Sequence, residues 1–176
     1  MKVKLALIAI PLIGLLILYY LIKSPTLVFG KNMSIISADS SLLQRHVVAL
    51  AMQSLPRSVE FPEGLKKAAN YIQNEWQKQG WVVNKQPFSD ADHQFENLII
   101  SYQPDKKERI VVGAHYDVCG PYPGADDNAS GVAGLLESTR LIKEHKPNLP
   151  YRIDFVAFST EEPHYFRAQL MGSYVH

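Results

Sequence analysis

The chain has 176 residues, of which 47% are hydrophobic and 20% charged, a composition typical of one globular domain with a distinct N-terminal stretch. Its formal net charge of +1 provides no basic surface for a polyanion, which argues against a nucleic-acid-binding protein. Cys119 is the only cysteine, so an intrachain disulfide is excluded.

The N-terminus carries a long apolar run. Every residue from Leu5 to Ile22 is apolar, glycine, proline or tyrosine, and lysines flank the run on both sides. About 20 such residues span a bilayer, so residues 1–23 are predicted to form a transmembrane anchor. A cleaved signal sequence is the alternative. The lysines before the run favour a cytoplasmic N-terminus, and we expect the following domain outside the cytoplasm, anchored to the membrane or, after signal cleavage, secreted.

After a linker at residues 24–37, residues 38–176 are predicted to form one domain that begins with two helices. Asp39 or Ser40 is suited to cap the first helix, and Gly80 to end the second. The apolar positions at helical spacing are Leu43, His46, Val47 and Leu50 in the first helix, and Leu65, Ala68, Ala69, Ile72 and Trp76 in the second.

Strands dominate the rest of the chain. The predicted strands cover residues 81–88, 96–103, 109–115 and 151–159, and a helix from about Ser130 to His145 connects the last two. A strand, a helix and a strand of these lengths predict a parallel βαβ unit with a right-handed crossover. The expected fold class is therefore α/β, with a mixed, mostly parallel sheet and helices on both faces.

Acidic and imidazole side chains collect where the last two predicted strands end. In α/β sheets, ligands bind beyond the carboxyl ends of the strands, so these side chains are expected to be neighbours. The set comprises one imidazole and five carboxylates: His115, Asp117, Asp126, Asp127, Glu161 and Glu162. Since carboxylates packed together raise one another's pKa, a divalent cation is expected among them, and this donor set suits zinc.

The spacing of these residues suggests separate roles. Residues two apart on a strand point the same way, so Asp117 can orient the ring of His115 while the other ring nitrogen binds metal. Adjacent Glu161 and Glu162 can serve one site only if the chain turns there, with one as ligand and the other taking a proton from a metal-activated water molecule. That arrangement is typical of a metallohydrolase.

The segments "GAHYD", "PGADDNASGVAGLLE" and "FVAFSTEE", followed by "MGS", resemble metallopeptidase family 28, the family of bacterial leucyl aminopeptidases and glutaminyl cyclases. The resemblance covers roughly residues 60–176. It implies that His115, Asp127 and Glu162 are metal ligands, with Asp127 bridging two zinc ions. It also implies that Glu161 is the general base and that Asp117 orients His115.

The resemblance further implies a zinc-exopeptidase-like fold and a cis peptide bond between Asp127 and Asn128. The implied function is that of an aminopeptidase-like exopeptidase acting on peptide substrates, with glutaminyl cyclase as the alternative chemistry within the family.

The resemblance implies a complete site with two zinc ions and five ligands, of which this chain would supply three. The missing aspartate and histidine are expected after the "GS" motif, so the chain resembles the N-terminal, C-terminally incomplete part of the catalytic domain. A second hypothesis is therefore an inactive remnant, or a binding or anchoring module.

Overall fold

The computed structural model describes residues 11–20 and 36–176. Residues 11–20 are helical. The remainder of the predicted anchor, and nearly all of the predicted linker, lie outside the described residues. Within the two described ranges, no helix combines the length and apolarity that crossing a membrane requires.

Two helices begin the unit that starts at Ile36, where the apolar spacing predicts them: α1 (Ser40–Ala51) and α2 (Pro62–Lys78). Asp39 caps α1, because its carboxylate accepts hydrogen bonds from the backbone N–H groups of Ser41 and Leu42 at 2.8 and 3.1 Å. Proline stands at the first position of α2, where no backbone donor is lost.

The four predicted strands form one sheet with the spatial order β1-β2-β4-β3. Their bounds are β1 (Asn84–Ser89), β2 (Gln94–Tyr102), β3 (Arg109–His115) and β4 (Arg152–Phe158). β3 and β4 are parallel and are joined by α3 (Gly131–His145), which confirms the predicted βαβ unit. A short helix, α4 (Gly172–Val175), closes the chain.

The core lies between one face of the sheet and the three long helices. Ala157 of β4 is paired with Leu98 of β2 on one side and Ala114 of β3 on the other, so the three side chains share a face. They belong to one buried cluster that also contains Ile72 and Trp76 of α2 and residues of α1 and α3. This packing fixes the carboxyl ends of β3 and β4 side by side.

Two details of the predicted sheet are wrong for the described residues. The sheet is mixed but not mostly parallel, because β2 pairs antiparallel with both β1 and β4. The long helices pack on one face, and only the short α4 lies against the other, through bonds from Asn97 and Gln86 to its backbone. The β1–β2 hairpin accounts for one of the two antiparallel pairs, because the strands of a hairpin are antiparallel.

Candidate metal centre

Three side chains predicted to bind metal lie together in the structure. His115 ends β3, Asp127 lies in the turn before α3, and Glu162 follows β4. One ligand atom of each lies within 4.8 Å of the others, and His115 Nε2 is 3.1 Å from Asp127 Oδ1. His115 and Glu162 are partly buried whereas Asp127 is exposed, so the cluster is open on the side of Asp127.

Asp117 connects two of these side chains. Its carboxylate is 1% exposed, and Oδ1 lies 3.4 Å from His115 Nδ1, within ion-pair distance but without hydrogen-bond geometry. Its Oδ2 accepts a hydrogen bond of 3.0 Å from the backbone N–H of Glu162. Asp117 is therefore placed to orient the imidazole and to fix the backbone of Glu162 at the same time.

The chain bends sharply at Asp127. Residues Ala125–Ser130 form a helical turn, but the backbone of Asp127 (φ −112°, ψ 95°) and of Asn128 (φ −133°, ψ 43°) departs from helical geometry. The peptide bond between these two residues is cis, as the family resemblance implies. The side chain of Asn128 accepts a hydrogen bond from Gly131 N at 3.0 Å, which connects the bend to the first turn of α3.

Glu161, the predicted general base, does not belong to the group of three donors. Both of its carboxylate oxygens accept hydrogen bonds from Ser173, one from the backbone N–H at 2.5 Å and one from the hydroxyl at 2.9 Å. Ser173 belongs to the "MGS" motif, for which the sequence alone predicted no chemical role. Ser173 of this motif therefore holds the carboxylate of Glu161.

Asn97 of β2 is a second residue that was not predicted from the sequence. Its fully buried amide accepts a hydrogen bond from Ser159 N at 3.0 Å and donates one to Gly172 O at 2.8 Å. It thereby joins the two ends of the segment that carries Glu161 and Glu162. The available signal was one amide side chain inside the apolar strand "ENLIISYQ", since a buried amide needs hydrogen-bond partners.

The charges around His115 favour its protonated form when no metal is present. Burial by itself lowers the pKa of His115, but the carboxylates of Asp117, Asp127 and Glu162 outweigh it, so the pKa is raised. Burial, together with the negative charge of Asp127, raises the pKa of Glu162. Such a group of acids around one imidazole is the electrostatic setting in which a cation is favourable.

The donor set also fits zinc on geometric grounds. An imidazole and carboxylates bind zinc at about 2.0 to 2.2 Å, which puts neighbouring ligand atoms of a tetrahedral ion roughly 3.5 Å apart. The three donor atoms lie within 4.8 Å of one another, and the pair formed by His115 and Asp127 is 3.1 Å apart, so small side-chain movements would bring the group to that spacing. Asp126 is not part of this group, although it precedes Asp127 directly.

A cavity of about 450 Å³ lies elsewhere, between α2 and the β1–β2 hairpin. Its walls include Leu65, Phe95 and Tyr116, but none of the three donors. The group of three donors therefore does not line this cavity.

Comparison with known proteins finds similarity to a peptidase family and to longer relatives. The model of peptidase family M28 matches residues 97–174, the part of the chain that contains all three donors. A curated relative, the uncharacterized protein YfbL of Escherichia coli, is 37% identical over 147 residues. That alignment covers 79% of this chain and 45% of the relative, so the chain spans less than half of that relative's length.

Solved structures agree with the fold. A leucine aminopeptidase precursor from Bacteroides thetaiotaomicron matches with a TM-score of 0.66 at 25% identity, covering 81% of this chain and 57% of that one. A glutaminyl cyclase from Fimbriiglobus ruber matches with a TM-score of 0.64 at 25% identity, covering 74% and 48%. A putative Zn-dependent exopeptidase from Bacteroides vulgatus matches with a TM-score of 0.59 at 27% identity, covering 74% and 50%.

Proposed function

Since residues 97–174 belong to peptidase family M28, we propose that the chain supplies the zinc-binding residues of an aminopeptidase-like exopeptidase that hydrolyses peptide bonds. The observation that supports this most is the group formed by His115, Asp127 and Glu162, three donors from separate segments within 4.8 Å of one another. The similarity to a leucine aminopeptidase precursor and to a putative Zn-dependent exopeptidase supports the reaction and the metal.

Each side chain of the site then has a role. Zinc bound here would lower the pKa of a water molecule from 15.7 to about 7, which makes it a nucleophile at neutral pH. Glu161 takes the proton, and Ser173 holds its carboxylate in place through two hydrogen bonds. Asp117 keeps the ring of His115 oriented with Nδ1 towards the carboxylate, which leaves Nε2 for the metal.

The first test separates ligands from the base in the purified 176-residue chain. We expect zinc to bind, with the measured stoichiometry deciding between one ion and two, and we expect hydrolysis of aminoacyl anilides. Asp127→Asn should lose zinc, whereas Asp126→Asn, the adjacent exposed carboxylate outside the donor group, should retain it. Glu161→Gln should keep zinc and lose turnover by about 100-fold or more.

The outcomes distinguish the proposal from its main alternative. Absence of zinc uptake by the unchanged chain would contradict the proposal and favour an inactive remnant or a binding or anchoring module. If Asp126→Asn and Asp127→Asn reduced zinc uptake equally, the metal would bind outside the donor group.

Glutaminyl cyclisation is the second candidate chemistry, because a glutaminyl cyclase is among the similar structures. It would release ammonia from a peptide that begins with glutamine, without cleaving a peptide bond. Incubation of the chain with such a peptide, followed by mass spectrometry, separates loss of ammonia from loss of the terminal residue. We expect loss of the residue.

We also propose that the chain is anchored in a membrane through residues 1–23, with the catalytic residues outside the cytoplasm. The proposal is supported by the apolar run from Leu5 to Ile22 and the lysines around it. Retention of the full chain in membranes washed with alkaline carbonate would support an anchor, whereas release of a shortened chain would show signal cleavage.

A further inference from the structure

Arg57 is a buried arginine in the loop between α1 and α2, and the proposed chemistry gives it no role. Its side chain is among the largest that are fully buried, with the residue 1% exposed. The guanidinium donates four hydrogen bonds, and all four acceptors are backbone carbonyl oxygens. They are Nε to Tyr116 O at 2.9 Å, Nη1 to Leu50 O at 2.8 Å, Nη1 to Pro123 O at 2.7 Å, and Nη2 to Gly124 O at 3.0 Å.

Three of these acceptors lie in the loop that connects His115 to Asp127. Tyr116 stands between His115 and Asp117, and Pro123 and Gly124 come just before the bend at Asp127. The guanidinium therefore joins the beginning of the loop to its end. The backbone adds a further bond at the same place, because Val118 N donates to Arg57 O at 3.0 Å.

Gly124 shows how closely the loop is packed around this group. Its φ of +56° lies in the left-handed region, and its carbonyl accepts from Arg57 and from Ala129 N. A Cβ atom at this position would meet Asp127 O at 2.3 Å and Arg57 Nη2 at 3.0 Å. A side chain at this position would therefore collide with the backbone of Asp127 and with the guanidinium.

A charged side chain is unusual at a position that is 1% exposed, as Arg57 is. Among the described residues, no carboxylate forms an ion pair with it. Burial lowers its pKa to about 10 even though the charges of Asp117 and Asp127 act in the opposite direction. A buried cation is costly unless its donors are satisfied and negative charge lies near, and the four carbonyls and two site carboxylates meet both needs.

We propose that Arg57 is a positioning residue for the metal centre: its bonds to the two ends of the 116–124 loop hold His115 and Asp127 in their ligating arrangement, with Asp117 beside His115, before metal binds. The inference rests on the proposed function as far as the metal is concerned. Its effect on the order of the loop is independent of any metal.

Two variants separate the geometry of the guanidinium from its charge. Arg57→Lys keeps the charge but replaces a planar fork by a single ammonium with three donors, which cannot reach all four carbonyls. Arg57→Met removes the charge and retains a chain of comparable length. Arg140→Lys is the matched control, because Arg140 also makes paired hydrogen bonds, to the buried Glu137, but touches no residue of the site.

The first measurement is zinc affinity, obtained by competition with a chromophoric chelator, in chains shown to be folded by circular dichroism. We expect about 10- to 100-fold weaker zinc binding in Arg57→Lys and Arg57→Met, the range found when groups that orient metal ligands are removed. Arg140→Lys should bind zinc as the unchanged chain does. If Arg57→Met does not fold, Arg57→Lys decides.

The second measurement is hydrogen exchange of the metal-free chains. The amides of residues 118–129 should exchange faster in Arg57→Lys than in the unchanged chain, with α3 beyond its first turn unaffected. Unchanged zinc affinity in both Arg57 variants, or an equal loss in Arg140→Lys, would overturn the inference while leaving the proposed function intact. An unchanged chain that takes up no zinc would overturn the proposed function, and the inference about the metal with it.

Discussion

Two segments supply the candidate site, and they are held in place by different physical means. The first segment, residues 115–131, is held by the buried guanidinium of Arg57, which is bonded to carbonyls at both ends of the loop before Asp127. The second segment, residues 159–173, is held by the neutral amide of Asn97, which is bonded to Ser159 N and Gly172 O. Each segment thus has one buried side chain that joins distant parts of it.

The difference between the two side chains predicts different consequences of losing them. Arg57 is charged and lies near the carboxylates of the donor group, so its loss should change metal binding first. Asn97 is a neutral residue inside the sheet, so its loss should change the free energy of unfolding first. Substitutions in the second segment and at Asn97 test this division.

Asn97→Leu should give the largest effect on stability. Leucine has a similar size but leaves Ser159 N without its partner, and an orphaned buried group costs about 1 to 3 kcal/mol. It also removes the bond to Gly172 O, which still accepts from His176 N at 3.1 Å. We expect the free energy of unfolding to fall by about 3 kcal/mol in a urea titration. Asn70→Leu on the exposed side of α2 is the control and should change it by less than about 0.5 kcal/mol.

This division between the two segments would be wrong if Asn97→Leu had the same free energy of unfolding as the unchanged chain but no longer bound zinc. The second segment would then resemble the first, with its anchoring residue acting on the ligands rather than on the fold.

Gly172→Ala tests how tightly the second segment is packed. A Cβ at Gly172 would meet Ser159 O at 2.1 Å and Asn97 Oδ1 at 2.6 Å, so the backbone must move to admit it. We expect a loss of about 2 kcal/mol in the free energy of unfolding, from overpacking. Gly134→Ala in α3 is the matched control, because outside its own helix backbone and chain neighbours no atom lies within 4 Å of the position that its methyl carbon would take.

The control should move in the opposite direction. Replacement of a helical glycine by alanine favours the helix by up to about 1 kcal/mol, so Gly134→Ala should be more stable than the unchanged chain. Equal melting temperatures of the two alanine variants would mean that Gly172 is not confined as its surroundings suggest.

Local patterns were sufficient to predict the elements but not their arrangement. The spacing from Leu65 to Trp76 identifies α2, and the apolar stretch 109–115 identifies β3, because periodicity is a property of neighbouring residues. The position of β2 between β1 and β4 depends on which strands pair, and nothing within "ENLIISYQ" specifies a partner. The sheet was therefore predicted with the wrong strand directions.

The same limit applies to the candidate site. His115, Asp127 and Glu162 were predicted because each lies in a short motif that resembles metallopeptidase family 28 and stands at the end of an element. The groups that hold them were missed because their contacts are distant in sequence. Arg57 reaches Tyr116 across 59 positions, and Asn97 reaches Gly172 across 75.

The smallest expected effect concerns Ser173, at the end of the second segment. Ser173→Ala removes the hydroxyl that donates to Glu161 Oε2 at 2.9 Å, while the backbone N–H still donates to Oε1. We expect turnover to fall by about 10-fold with zinc content unchanged, since the base is held less firmly but the ligands are intact. Turnover of aminoacyl anilides and zinc content would be measured on the same preparation.

Ser173→Thr keeps the hydroxyl and should restore most of that turnover. Ser138→Ala removes a comparable hydroxyl bond within α3 and should leave turnover unchanged. Loss of zinc together with turnover in Ser173→Ala would show that Ser173 acts on Glu162 and the metal. Because Glu161 and Glu162 are adjacent, this result decides whether the second segment positions the base separately from the ligand, or holds both as one rigid turn.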